Sequence, residues 1–168
     1  MKKVWIEVKW ALIFVAVSLL WMYLEKAFGL HDEHIAQHAM YTNLFAIPAI
    51  GIYVFALLDK LKNFHHGSMT YKQGLKTGLI ITLFVTILSP LTQYITSYFI
   101  TPEYFPNAID HAVNSGMMER PEAEAFFSYE NYMRQGLIFA PVMGIITTAI
   151  VAIFIRKKRP DKSDPLSA

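Results

Sequence analysis

Thr77–Ile100 reads TGLIITLFVTILSPLTQYITSYFI, 24 residues with no Asp, Glu, Lys, Arg or His among them. As a helix this stretch is about 36 Å long, enough to cross a hydrocarbon layer of about 30 Å. On either side lie three more runs of the same kind: Gln135–Ile155 (21 residues), Met40–Leu58 (19) and Trp10–Leu24 (15). Together the four runs hold nearly half of the 168 residues, which is how a chain that is 54% hydrophobic comes to be only 17% charged. Three runs reach the length of a span outright, and the first reaches it if Val4, Trp5 and Ile6 continue its helix. Lys9 would then extend to the headgroups and Trp5 and Trp10 would anchor the interface. The expected fold is an all-α integral membrane protein with four transmembrane helices and an amphipathic helical outer loop between spans three and four. Residues 1–158 would form a single transmembrane domain and 159–168 a short cytoplasmic tail.

The placement of charge gives the orientation. Twelve of the fifteen Lys and Arg residues fall before span one, between spans two and three, or after span four; only Lys26, Arg120 and Arg134 fall in the alternate segments. The positive-inside rule then places both termini in the cytoplasm of a multi-pass protein. A competing reading takes Lys2, Lys3 and Trp10–Leu24 as a cleaved signal peptide ending near Ala27 and Gly29. Glu7 and Lys9 interrupt its basic region, and Trp21, Met22 and Tyr23 are too bulky for a good cleavage region.

Several chemistries are excluded. With no Cys there is no disulfide, thiolate metal site or thiol nucleophile. The basic residues flank apolar spans rather than forming a soluble face, which argues against nucleic acid as a partner. The longest segment outside the runs, Thr101–Arg134, is too short for an independent enzyme domain. The role expected is therefore non-enzymatic and without a cofactor. The partners expected are the lipid bilayer and another membrane protein or a second copy of the chain.

Within the spans, small residues recur at every fourth position: Gly74, Gly78, Thr82 and Thr86 in or before span three, and Gly136, Ala140, Gly144, Thr148 and Ala152 in span four. Such stripes let helix backbones approach closely. They serve either a homodimer face or, as the preferred reading, packing of spans three and four within one chain. Pro48, Pro90 and Pro141 place one proline in each of spans two, three and four, with Ser89 and Gln93 beside Pro90. These residues suggest an outward vestibule for a small-molecule carrier or channel. The plainer reading is that neighbouring hydroxyls satisfy the carbonyls the prolines free.

On the outer side, a helix running from His31 into span two would set His31, His34 and His38 on one face, at i, i+3 and i+7. Imidazoles so placed can share a zinc or copper ion, with Asp110 or His111 completing a tetrahedral set; solvated interfacial histidines are the alternative. Between spans three and four, Asn107–Ser115 reads as one amphipathic helix capped by Asn107 and ended by Gly116. Pro121 opens a second, with Ala123, Phe126, Phe127 and Met133 opposite Glu122, Glu124 and Glu130. The tail Arg156-Lys157-Lys158-Arg159 reads as a topology determinant and a contact for anionic lipid.

Gly67-Ser68-Met69-Thr70-Tyr71-Lys72-Gln73-Gly74-Leu75-Lys76-Thr77-Gly78, entering span three, and Tyr98-Phe99-Ile100-Thr101-Pro102-Glu103-Tyr104, closing it, carry a resemblance. They resemble a bacterial family of small multi-pass membrane proteins catalogued as domain of unknown function 4199. The resemblance implies four spans with a long loop between the third and fourth, and it places the chain in a bacterial cytoplasmic (inner) membrane. It brings no reaction or catalytic residues.

Overall fold

A computed structural model describes residues 4–157 of the chain. The expected tail 159–168 lies outside the described residues, as do Lys2, Lys3 and Lys158. The described chain is helical: α1 (Trp5–Ala27), α2 (Ile35–Thr42), α3 (Ala46–Asn63), α4 (Tyr71–Ile95), α5 (Tyr104–Asn114), α6 (Arg120–Phe126) and α7 (Tyr129–Ile155). A 3-10 turn, Asn43–Phe45, joins α2 to α3, and a π-helical turn, Thr96–Ile100, extends α4. Four segments are long and apolar enough to cross a membrane: Trp5–Ala27, Ile35–Asn63, Tyr71–Ile100 and Tyr129–Ile155. Each buries only a minority of its residues within the protein, leaving Ile47, Phe99 and Phe154 among many side chains facing outward. In water this would be an apolar patch far larger than soluble monomers expose, whereas acyl chains solvate it.

Several boundaries differ from the sequence reading. The first span begins at Trp5, so it is a full 23 residues. Span four begins at Tyr129, capped by Ser128, whose hydroxyl accepts from the Asn131 amide; Met133 therefore belongs to α7 and not to the second loop helix. The first loop helix begins at Tyr104, a turn before the expected start. Asn107 does not cap it, and Gly116 (φ +69°) ends it as expected. At the entry to α4, Thr70 and Gln73 exchange the two hydrogen bonds of a capping box.

The prolines have local consequences. Pro90 frees the Thr86 carbonyl, and the Ser89 hydroxyl donates to that same oxygen at 2.9 Å. Thr92 also donates its hydroxyl to a carbonyl of its own helix, that of Leu88, at 3.1 Å. Pro48 lies in the first turn of α3, directly after the 3-10 turn, and frees the carbonyl of Leu44 within that turn.

The helices are assembled around α4, whose most extensive partner is α7, followed by α1. The two small-residue stripes mesh: the space a Cβ would need at Gly78 is filled by the Thr148 side chain, and that at Gly144 by Thr82, whose Cγ2 would lie 2.5 Å away. Gly74 meets Ala152 in the next register, at 3.2 Å. The mesh stops there: a Cβ at Gly136 would meet nothing within 4 Å, and Ala140 is half-buried. At Gly74, Gly78 and Gly144 the stripes thus pack within the chain. Tyr53 of α3 joins through a hydroxyl contact of 2.8 Å with Thr82, which itself donates to the Gly78 carbonyl.

Ion pairs dock α1 on α3. Glu7 and Lys60, almost wholly buried, meet at 2.8 Å, and the Lys60 ammonium lies 3.9 Å from the Phe64 ring centre. Beside them, Asp59 accepts from Lys9 and, at 2.7 Å, from the Trp10 indole. Lys9 therefore pairs with Asp59 in addition to any headgroup contact. At this end the chain is closed by mutual backbone bonds between Met69 and Lys157 (3.0 and 2.9 Å), which hold the α3–α4 loop against the end of α7.

Gly78→Ala should destabilise the protein by about 1–3 kcal/mol, because Thr148 occupies the space of the new methyl. Adding Thr148→Ala should restore most of the loss, measured by detergent-driven unfolding in mixed micelles. Lys60→Met, which leaves the Glu7 carboxylate buried without this cation, should lose about 3–5 kcal/mol in the same assay.

Candidate metal centre

At the other end of the helices, α1 runs to Ala27 with Glu25 in its last turn, and the chain then reverses. Gly29 (φ +71°) permits the reversal: the Leu30 amide returns to the Glu25 carbonyl at 2.9 Å and the His34 amide to the Gly29 carbonyl at 2.7 Å. His31 falls inside this turn, and α2 begins only at Ile35. The continuous helix expected through His31, His34 and His38 therefore does not form. His34, left at the exposed N-cap, is removed from the other two.

His31 and His38 converge on Glu25 instead. His31 Nε2 lies 3.2 Å from Glu25 Oε2 and His38 Nε2 3.3 Å from the same oxygen. The other oxygen, Oε1, accepts from the Trp21 indole at 2.5 Å. One ligand atom from each of the three residues falls within 4.8 Å of those of the other two. Glu25 and His31 are each 2% exposed, and His38 is half-buried. His38 Nε2 and His31 Nδ1 are buried without an aligned hydrogen bond among the described residues. Buried polar atoms ordinarily have partners, so His38 Nε2, which faces Glu25, marks the place where a ligand would be bound.

Tyr104 of α5 closes the site, its ring 5.1 Å from that of His31 and 5.0 Å from that of His38. Its hydroxyl lies 3.4 Å from His38 Nδ1 and 3.1 Å from the Tyr132 hydroxyl. A neutral His38 carrying its proton on Nδ1 would donate to Tyr104, leaving the Nε2 lone pair aimed at Glu25. Burial, then the Tyr132 hydroxyl and the Glu25 charge, push the Tyr104 phenol well above its ordinary range. Asn107, freed from the capping role, donates to the His31 carbonyl at 2.9 Å and fixes the turn to α5.

Asp110 and His111 do not complete the set: Asp110 is exposed and pairs with Arg120 at 2.7 Å. The expected vestibule residues do not converge either. A cavity of about 380 Å³ beside His38 and Tyr104 is lined by Gln93, Ser97, Thr92 and Gln135, but by none of Pro48, Ser89, Pro90 or Pro141. Gln93 is engaged there, donating to Ser97 at 2.8 Å. Glu25 was missed in the sequence because it stands just past an uncharged run. Its signal was the spacing of Trp21 and Glu25, one helical turn apart and directly before a glycine reversal.

Donor atoms about 2.0–2.1 Å from a tetrahedral ion lie about 3.3 Å from one another. Both nitrogen–oxygen separations at Glu25 match that value. Two imidazoles and a carboxylate form a three-ligand set suited to zinc and related first-row ions.

Four apolar helices with a buried carboxylate–histidine cluster at one end define a helical membrane protein. The chain belongs to the family described as Protein of unknown function (DUF4199), which it matches over residues 9–157. No curated protein and no solved structure matches it.

The raised Tyr104 phenol should keep its proton at pH 11, so Tyr104→Phe should lower by one the phenols still protonated there, read by ultraviolet absorbance. The corresponding stability is intact below pH 10, the ordinary phenol value, and is lost as pH rises through the higher folded-state value.

Proposed function

We propose that this is a multi-pass protein of a bacterial cytoplasmic membrane, with both termini in the cytoplasm and a non-enzymatic structural or accessory role. Its working site is a divalent-metal centre on the outer face, with Glu25, His31 and His38 as ligands and zinc as the ion the donor set suits best. The observation that carries this reading is the convergence of two imidazole nitrogens on one carboxylate oxygen, with His38 Nε2 buried and lacking an aligned hydrogen bond among the described residues. The bias of basic residues supports the orientation. The bound ion would tie α2 and the Gly29 turn to α1. Because Asn107 and Tyr104 rest on the same turn, the loop helix α5 would be held with it. That coupling favours a structural role over catalysis.

Zinc added to the purified protein should bind with one site per chain in calorimetry, and at about one hundred times Kd should stabilise the fold by about 2.7 kcal/mol. Glu25→Gln and His38→Ala should each weaken binding more than about tenfold, and His34→Ala should leave it within about twofold. If His34→Ala weakens binding as much as His38→Ala, or the wild type binds neither zinc nor copper, the centre is not there. Reporter fusions after Lys62, Ser115 and Ala168 should place only the middle one outside.

A further inference from the structure

The end of the molecule opposite the metal centre carries a second site, independent of the first. The α3–α4 loop turns through two consecutive residues with positive φ, His66 (+51°) and Gly67 (+85°). The Met69 side chain, 1% exposed, plugs the core beside Gly74. The Met69–Lys157 backbone bonds then hold Arg156 and Lys157 against this loop. Between them opens a cavity of about 700 Å³, lined among others by His65, His66, Ser68, Tyr71, Arg156 and Lys157. Among the described residues no carboxylate lines it, and neither Arg156 nor Lys157 has an acidic partner. The cavity therefore presents two exposed cationic side chains on a backbone held in place, two imidazoles and hydroxyl donors to one volume, a donor set that suits a phosphodiester.

Its depth identifies the source of that phosphate. Arg156 directly follows the span that ends at Ile155, and Tyr71 is the first residue of the span that follows the loop. The cavity thus lies at the height of lipid headgroups, and Phe154, two residues before Arg156 and 81% exposed, adds to the outward apolar surface of α7. We propose that this cavity is the headgroup site of an anionic phospholipid, its phosphodiester held by Arg156 and Lys157 against the loop and its acyl chains lying along the outward face of α7. The backbone clamp is what distinguishes it from a diffuse basic fringe: it sets the backbone of Arg156 and Lys157 against the loop, so that both side chains line the same cavity as Ser68 and Tyr71. Burial and the nearby Lys60 charge lower the affinity of His65 for a proton, so His65 serves there as a neutral hydrogen-bonding group.

The test uses the full chain in neutral detergent, with fluorescent phosphatidylglycerol and phosphatidylcholine as probes. Phosphatidylglycerol should bind saturably and in preference to phosphatidylcholine. The double variant Arg156→Gln/Lys157→Gln should lose at least about tenfold in affinity. Lys62→Gln/Lys72→Gln, which removes the same charge outside the cavity, should stay within about twofold. Equal losses in both double variants would show nonspecific charge attraction and overturn the proposal, as would the absence of a preference between the two lipids. Inorganic phosphate is the third arm. If it binds alone and displaces the lipid completely at equal concentration, the site is one for a free anion and the lipid assignment falls. Circular dichroism and melting of both double variants, matched to the wild type, establish that any loss is not unfolding.

Discussion

The close approach of α4 and α7 is the constraint on which the rest of the structure depends. Lipid chains are as apolar as leucine, so helices in a membrane gain little by hiding leucine from their surroundings; they gain by packing backbone against backbone. Gly78 against Thr148 and Gly144 against Thr82 achieve that approach, each glycine receiving a threonine from the facing helix. The reciprocity sets the register of the pair. Once it is set, Thr82 stands where Tyr53 can reach it, which brings α3 in, and Gly74 stands where Met69 and Leu57 can cover it. The basic-end clamp between Met69 and Lys157 follows from the same register, since both residues lie just beyond the paired helices.

Several polar groups in this chain are placed where a partner meets them. Pro90 illustrates this at the scale of one turn: the hydroxyl of Ser89 returns to the carbonyl that Pro90 frees, so the break in the ladder needs no partner from another helix. Ionisable residues illustrate it at the scale of the whole molecule. Glu7 and Lys9 at one end of α1, and Glu25 at the other, are each met by side chains from outside that helix: Lys60, Asp59, and the pair His31 and His38. Helix α1 is thus fastened at both ends by charge-bearing contacts, with aromatic rings between, Phe14 against Tyr53 and Trp21 against Phe45.

How far these features were legible depended on the range of the interaction involved. Spans were legible because an apolar, uncharged run of about twenty residues is long enough as a helix to cross a bilayer wherever it occurs. The stripes through Gly78 and Gly144 were legible as packing surfaces, although not the pairing of each glycine with a particular threonine. The histidines show the limit. A spacing of three and then four residues implies a shared face only if the helix is continuous, and Gly29 places His31 in a turn before the helix starts. Glu25 belongs to the site because the chain folds back on the end of α1, and no local periodicity encodes a reversal of that kind.

By itself, then, the sequence determined that four helices are long and apolar enough to cross a membrane, where their small-residue faces lie, and which segments carry the basic residues. All of these follow from composition and periodicity along one helix, where each residue's surroundings are set by its near neighbours. Tertiary structure alone decided which polar side chains from separate segments meet: Glu7 with Lys60, Asp59 with Lys9, and Glu25 with His31 and His38 rather than His34. Those partnerships depend on the direction in which the chain leaves each helix and on the register of α4 against α7. Both are settled only when the helices pack, because only then does a carboxylate at a helix end acquire the neighbours that make its burial tolerable.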